Sequence, residues 1–237
     1  MEQDTNRLKE AAGKAVVDAM VKSGMKLGLG TGSTAVHAVR RVGELLAQGA
    51  LRDIRAFATS FQTEIECEKL EIPFYTLNSR ELSGGLDLTI DGADEVDPSN
   101  FLIKGGGGAL LIEKLAAYAS SSFAVIVDES KLTEKLGMGF PVPVEVVPEA
   151  RVQVTKALEK LGAAVSLREA VRKAGPVITE HGNLILDIRF GSSVDPSVME
   201  TELNQIPGVV ENGFFTRNPP VVYIAFSNGT VETRGRQ

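Results

Sequence analysis

At 237 residues the chain is long enough for one large domain or two smaller ones, and a hydrophobic content of 43% is ordinary for a folded core. A formal net charge of −6, from 31 acidic and 25 basic residues, argues against broad nucleic-acid binding, which needs a basic face. The single cysteine, Cys67, excludes an internal disulfide, and no apolar run approaches the roughly 18–20 residues of a membrane span.

In chain order, Asp4 can cap a helix that carries Leu8, Ala12, Ala15, Val16 and Ala19 on one face. Lys26–Leu29 reads as a short buried strand. Gly30-Thr31-Gly32-Ser33-Thr34 then turns into a helix whose inner face is Val36, Val39, Val42 and Leu46. A strand Ile54–Ala58, a helix Gln62–Leu70, a short strand Phe74–Thr76, a strand Leu86–Ile90 and a short strand Phe101–Ile103 follow. Helix Ala109–Ala119 and strand Phe123–Val127 come next. This alternation predicts an α/β fold with a largely parallel sheet and helices on both faces.

Near residue 140 the pattern changes. Pro141, Pro143 and Pro148 force an extended segment, and a domain boundary is expected there. Beyond it we expect a helix Glu149–Leu161, a strand Ala163–Leu167, and a hairpin Val177–Ile188 turning at His181-Gly182-Asn183. Asp195-Pro196 should open a helix to about Gln205. Strands Val221–Phe226 and Val231–Arg234, joined at Asn228-Gly229, are expected to return to the first domain. The expected domains are 1–140 with 208–237, and a small α+β domain 141–207.

Three carboxylates, one amine and four consecutive glycines fall in one short stretch: Asp91-Gly92-Ala93-Asp94, Lys104-Gly105-Gly106-Gly107-Gly108 and Glu113. The strand-like run Leu86–Ile90 leads into it, so both aspartates should lie in a loop at a strand's carboxyl end, where open α/β sheets bind ligands. Glycines let the backbone approach a ligand closely. Glu113 falls just inside an apolar helix, and burial suits a carboxyl to base work near neutral pH. Converging acids with one cation suggest proton transfer on an anionic small molecule. Asp94 with Glu95 and Asp97 could instead form a solvated acidic loop, and Lys104 could be a surface lysine, but the buried strand before the loop and the four glycines after the lysine favour function. Lys131, in the Asp128-Glu129-Ser130-Lys131 loop, is a further possible ligand contact. His37 and His181 read as structural, and no metal-ligand spacing is present.

Gly30-Thr31-Gly32-Ser33-Thr34 places backbone N–H groups and hydroxyls at a helix start, a ready anion site. It is not a Walker loop, since no lysine precedes Ser33-Thr34. Gly30-x-Gly32-x-x-Ala35 fits the dinucleotide pattern, but the next strand ends in Thr59-Ser60 instead of the acid that a ribose requires. A sugar phosphate fits better than a dinucleotide.

At these residues the sequence resembles the type A ribose-5-phosphate isomerases. The likeness runs from Leu8-Lys9 through Gly30–Thr34, Asp91–Glu95, Lys104–Gly107, Glu113-Lys114 and Ser130-Lys131 to Phe140–Val146 and Ile206–Val209. Some relatives carry alanine at the position of Gly108, and little consequence is expected. The resemblance implies interconversion of ribose 5-phosphate and ribulose 5-phosphate, in the non-oxidative pentose phosphate pathway, without cofactor or metal. It also implies a Rossmann-like main domain, a smaller ferredoxin-like domain and a homo-oligomer, dimer or tetramer. By resemblance, Glu113 is the proton acceptor. The resemblance also implies that Thr31, Gly32, Ser33, Thr34, Asp91, Gly92, Ala93, Asp94, Lys104, Gly105, Gly106, Gly107 and Lys131 contact substrate. The reaction itself suggests Asp91, Asp94 and Lys104 as assisting groups, and Lys9 or another lysine holding the phosphate with Ser33-Thr34. An aldose–ketose exchange needs one base to move a proton between C2 and C1, and a donor to stabilise the enediolate. Two rival readings are a sugar-phosphate sensor without catalysis and a nicotinamide-dependent dehydrogenase. The sensor would need a DNA-binding module, and no helix-turn-helix precedes residue 25. A lone cysteine, and a polar amino terminus without a signal-peptide pattern, lead us to expect a cytoplasmic protein with no membrane or nucleic-acid partner.

Overall fold

The structure, a computed structural model, describes the backbone of residues 2–235 and the side chains of residues 6–235. Its elements in chain order are α1 (Glu2–Met20), β1 (Lys26–Leu29), α2 (Gly32–Ala47), β2 (Arg55–Ala58), α3 (Phe61–Lys69), β3 (Leu86–Gly92), β4 (Glu95–Val96), β5 (Leu102–Ile103) and α4 (Leu110–Tyr118). They continue with β6 (Ser120–Asp128), β7 (Val142–Val146), α5 (Arg151–Lys160), β8 (Ala163–Leu167), β9 (Leu184–Phe190), α6 (Pro196–Asn204), β10 (Val209–Asn212), β11 (Phe214–Phe215), β12 (Val221–Ala225) and β13 (Val231–Arg234). The chain divides into two compact units, one of residues 1–93, 112–132 and 220–237, the other of residues 94–111 and 133–219.

The first unit is built on a six-stranded sheet in the order β13-β12-β6-β3-β1-β2. Every neighbouring pair is parallel except β12–β13, so only one edge strand is antiparallel. The first five strands to enter this sheet lie in the spatial order 2-1-3-4-5, a doubly wound arrangement whose winding reverses between β1 and β3. Each face carries helices because the strands are apolar on both sides. Leu27, Leu29, Leu88 and Ile90 pack with Ala12, Val16 and Val17 of α1 and Ala38, Val39 and Val42 of α2. The other face holds Phe57 against Leu82, Leu86 and Ala116 of α4, while its neighbour Ala56 belongs to the first core. Gly28 is required on the α4 face, since a Cβ there would lie 2.0 Å from the Thr89 hydroxyl. That hydroxyl reaches Ser120 Oγ at 2.6 Å and donates to the Ala116 carbonyl.

The second unit holds a four-stranded antiparallel sheet in the order β10-β7-β9-β8 and a small sheet β11-β5-β4. Read along the chain, β7-α5-β8-β9-α6-β10 is the β-α-β-β-α-β succession of a ferredoxin-like domain. Val142, Val144, Val146, Leu184, Leu186 and Ile188 present one face to Val154, Leu158 and Leu203 of the two helices. Asp195 caps α6 as its sequence predicts, accepting from the backbone N–H groups of Ser197 and Val198 with Pro196 at the first helical position.

The structure departs from the sequence reading in five places. Helix α1 begins at Glu2, so Asp4 falls inside it and does not cap it; the Asp4 side chain lies outside the described residues. The expected strand Phe74–Thr76 reduces to one parallel bridge between Phe74 and Ala56. Strand β3 continues through Gly92, pairing Asp91 with Val125 and Gly92 with Ile126, so Asp91 ends a strand and is not in a loop. The hairpin's turn is present, with Thr179 N donating to Asn183 O at 2.9 Å, but its first arm makes only isolated bridges. The partners of β9 are β7 and β8. Finally, segments 94–111, 133–140 and 208–219 group with the second unit and not with the first. The reason is that β4 and β5 pair with each other and β5 pairs with β11, while Ile103 and Leu136 join the second core.

Candidate active site

In the first unit, the carboxyl ends of β1, β2 and β3 meet at the winding reversal. Gly30 follows β1 and leans on Asp91: a Cβ at Gly30 would lie 2.1 Å from Asp91 Oδ1 and 2.6 Å from Asp91 Cα. Glycine is required there by close approach, not by a positive φ. Asp91 is fully buried, and its Oδ1 accepts from the N–H groups of Gly92 at 2.7 Å and Thr31 at 3.2 Å. Those bonds aim the carboxylate along the start of the anion loop.

Helix α2 opens at Gly32, directly after Thr31. The Thr31 hydroxyl turns towards β2 and α3, 2.7 Å from Thr59 Oγ1, and donates to Ser60 Oγ at 2.6 Å. Thr63 Oγ1 donates to the Gly30 carbonyl at 2.8 Å. Thr59, Ser60 and Thr63 are all buried. At the end of β2, where a dinucleotide site places an acid, this fold places a hydroxyl cluster that braces the loop. Ser33 is left exposed, and Lys9 of α1 donates to its Oγ at 2.9 Å. A cation, a hydroxyl and a helix amino end thus share one place, the makings of a phosphate site.

Glu113 stands in the first turn of α4 and is 5% exposed, among the buried side chains Leu110, Ala116 and Ala117. The turn after β6 is capped by Asp128, which accepts from Ser130 N at 3.0 Å, and Lys131 in it is half-buried. Glu129 ties this turn to the β12–β13 connection by accepting from Ser227 N at 2.9 Å, and those hydrogen bonds hold its carboxyl below the usual range.

In the second unit, Lys104 is only 2% exposed, so it is not a surface lysine. Its amide donates to Gly213 O at 3.0 Å, and its ammonium lies 5.7 Å from the centre of the Phe215 ring, within cation–π range. Asp94 is half-buried, and its Oδ2 accepts from Gly106 N at 2.7 Å. The four glycines have different duties. Gly105 and Gly108 have φ of +100° and +81°, which only glycine adopts without strain. Gly106 lies under Asp94, with room for a Cβ only 2.6 Å from Oδ1, whereas Gly107 faces open space. The neighbouring Glu95 is not part of a solvated acidic loop. It is buried and accepts from the N–H groups of Gly137 at 2.7 Å, Gly139 at 3.1 Å and Phe140 at 2.6 Å.

The histidines and the cysteine take structural places. His37 is buried in α2, 3.2 Å from Asn6 Oδ1, against Gly13 of α1. His181 is exposed in the turn before β9. Burial, aided by Glu64 and Glu66, pushes the Cys67 thiol up to about 12, so it stays protonated and unreactive. Among the described residues no group of three His, Cys, Asp or Glu side chains is arranged to hold a metal ion, and no helix is long and apolar enough to cross a membrane.

Sequence reasoning missed the bracing residues Thr59, Ser60, Thr63 and Arg168. The first two carried a signal, since they occupy the end of the strand next to β1. Arg168 carried none, because its bonds to the glycine loop go to backbone carbonyls 63 and 62 residues away.

The model of the family described as ribose 5-phosphate isomerase A (phosphoriboisomerase A) matches residues 55–229. Proteins named ribose-5-phosphate isomerase A from Treponema denticola and Treponema pallidum are each 53% identical to this chain. The matches cover 97% and 92% of this chain and 99% and 89% of theirs. Among solved structures, a D-ribose-5-phosphate isomerase in complex with phospho-erythronic acid is 40% identical with a TM-score of 0.92, over 97% of this chain and 98% of its own. The ribose 5-phosphate isomerase A of Methanocaldococcus jannaschii is 43% identical with a TM-score of 0.89, over 96% and 98%. Likeness of this degree along nearly the whole length, in sequence and in fold, means that the chain belongs to the ribose 5-phosphate isomerase A family.

Proposed function

We propose that this chain interconverts D-ribose 5-phosphate and D-ribulose 5-phosphate through an enediolate, with Glu113 as the proton acceptor. Family membership supports the substrate pair. The observation that carries the chemistry is Glu113 itself, a carboxyl 5% exposed in the first turn of an apolar helix. There it is shielded from bulk water and suited to proton transfer. In this reading Glu113 removes the proton from C2 of the aldose and returns it to C1 of the ketose. Asp91, oriented by the N–H groups of Gly92 and Thr31, moves the proton between the two oxygens. Asp94 orients sugar hydroxyls, and Lys104 stabilises negative charge as it grows on the enediolate oxygens. Lys9, Ser33 and Thr34 take the phosphate, with Lys131 as a further contact and Thr31, Gly32, Gly92, Ala93, Gly105, Gly106 and Gly107 lining the substrate.

The relative solved with phospho-erythronic acid supports a site that accepts a phosphorylated sugar acid, whose carboxylate resembles the charge of an enediolate. A homo-oligomer, dimer or tetramer, is part of the proposal on the strength of the resemblance. A cytoplasmic location is part of it on the strength of the lone, buried Cys67. The route is tested by running the isomerisation in deuterated water. Deuterium should enter the product carbon that receives the transferred proton, because a carboxylate can exchange with solvent between removal and return. Complete retention of the substrate's own hydrogen over many turnovers would instead support hydride transfer.

A further inference from the structure

We propose that Arg168 is a positioning residue for the glycine loop, acting through a single peptide unit on Asp94; its effect on turnover rests on the isomerase reading above. Arg168 follows β8 directly. Its Nε and Nη2 donate to the two carboxylate oxygens of Asp187 on β9, at 2.8 and 2.5 Å. This paired fork removes the rotational freedom of the guanidinium. The third nitrogen, Nη1, is thereby aimed at the loop and donates to the carbonyls of Gly105 at 2.8 Å and Gly106 at 3.1 Å.

The Gly105 carbonyl and the Gly106 N–H belong to the same planar peptide unit. Arg168 holds its oxygen end, and Asp94 Oδ2 takes its N–H end at 2.7 Å. The result is a chain of charge-assisted bonds, Asp187–Arg168–peptide–Asp94, in which each member polarises the next. The Gly105 carbonyl also accepts from Gly108 N at 3.0 Å, closing the turn. A peptide flanked by glycines on both sides rotates with little steric resistance, so its orientation depends on what grips its two ends. Were it to turn over, the carbonyl would face Asp94 and repel the carboxylate that it now anchors. Arg168 and Asp187 are 15% and 17% exposed, so the pair is largely shielded from solvent screening. Arg168 itself touches no substrate; it sets the orientation of Asp94, which in the proposed reaction orients the sugar hydroxyls.

The test combines steady-state kinetics with amide hydrogen exchange at Gly106, on Arg168→Ala, Arg168→Lys and Asp187→Asn. Arg168→Ala should lower kcat by about 10–100-fold, the usual cost of misplacing a group by about an ångström, with a smaller change in KM. The Gly106 amide should exchange at least about tenfold faster as its bond to Asp94 loosens. Free guanidinium at low millimolar concentration should restore part of kcat, and Arg168→Lys, a point donor without the fork, should fall between. Asp187→Asn keeps the guanidinium and loosens its aim, so it should show the same changes to a lesser degree, and it decides the matter if Arg168→Ala does not fold. A kcat within about twofold of wild type, or unchanged Gly106 exchange in a variant that has lost activity, would overturn the proposal. If the wild type itself fails to isomerise ribose 5-phosphate, the functional reading falls, and Gly106 exchange alone still decides whether Arg168 grips the loop.

Discussion

The two glycine-rich loops of this protein are held in opposite ways. Gly30–Thr34 is fixed by what the sheet puts beside it: Asp91 at the end of β3, and Thr59 and Ser60 at the end of β2. Gly105–Gly108 is gripped on its backbone carbonyls by one side chain, Arg168 from the end of β8. In the first, glycine makes room for a neighbouring carboxylate. In the second, glycine permits a backbone turn whose direction is set by a side chain. Gly30 resists substitution because the space is filled, whereas Gly105 and Gly108 resist it because φ is unusual.

The largest effect is expected from filling the first loop. Gly30→Ala places a methyl group where Asp91 Oδ1 and Cα now stand. Unfolding by urea should show a loss of about 1–3 kcal/mol, the usual cost of overpacking. Turnover should drop by about 100-fold as Asp91 is displaced. An active, fully stable Gly30→Ala protein would show that the contact yields easily and that Asp91 is not held by it.

A smaller effect should separate the glycines of the second loop from one another. Gly105→Ala must adopt φ near +100° and approach Leu110 Cβ at 2.9 Å. It should cost at least about 1–2 kcal/mol in thermal or chemical unfolding. Gly107→Ala, with nothing within reach of its Cβ, should stay within about 0.5 kcal/mol of wild type. Equal costs at the two positions would mean that the turn is not what the glycines serve.

The smallest effect concerns α2, the helix that the first loop opens. Burial, reinforced by the charge of Arg40, holds the His37 imidazole below the ordinary value of 6.5. The unfolded chain therefore binds more protons than the folded one as the pH falls. The contribution of His37 to stability is fully present above about 6.5 and is lost as pH falls below that towards the folded value. Melting should be lower at about pH 5.5 than at about pH 7.5, and His37→Gln should flatten that difference. The slope removed cannot exceed about 1.4 kcal/mol per pH unit, the limit for one proton. An identical pH profile in the variant would show that His37 titrates normally.

The comparison also shows why much of the fold was legible in the sequence and part was not. Leu27, Leu29, Leu88 and Ile90 sit in short apolar runs between glycines and polar turns, and the Asp195-Pro196 pair announces its own helix. Such signals are local. Strands β4 and β11 have two residues each, too short for an alternating pattern to register. Their pairing with β5 moves segment 94–111 into the second unit. The site divides in the same way. Asp91, Asp94, Lys104 and Glu113 stand in one short stretch whose residue types declare their chemistry, and the structure buries three of the four. The supports around them include Thr63 and Arg168, which bond the backbone carbonyls of Gly30, Gly105 and Gly106, and a bond to backbone leaves no complementary residue in the sequence to betray it.

Glu113 carries the proton in the proposed reaction, and turnover of Glu113→Gln, measured with calorimetric titration of the same preparation, tests that role. Glutamine keeps the shape and removes the basic oxygen. A positioned general base contributes about 10²–10⁴-fold, so turnover should fall by at least that range's lower limit. Phospho-erythronic acid, the ligand captured in a solved relative, should still bind within about tenfold of wild type, a difference of about 1.4 kcal/mol. Near-normal turnover in Glu113→Gln would contradict the account and make Asp91 the leading candidate for the base.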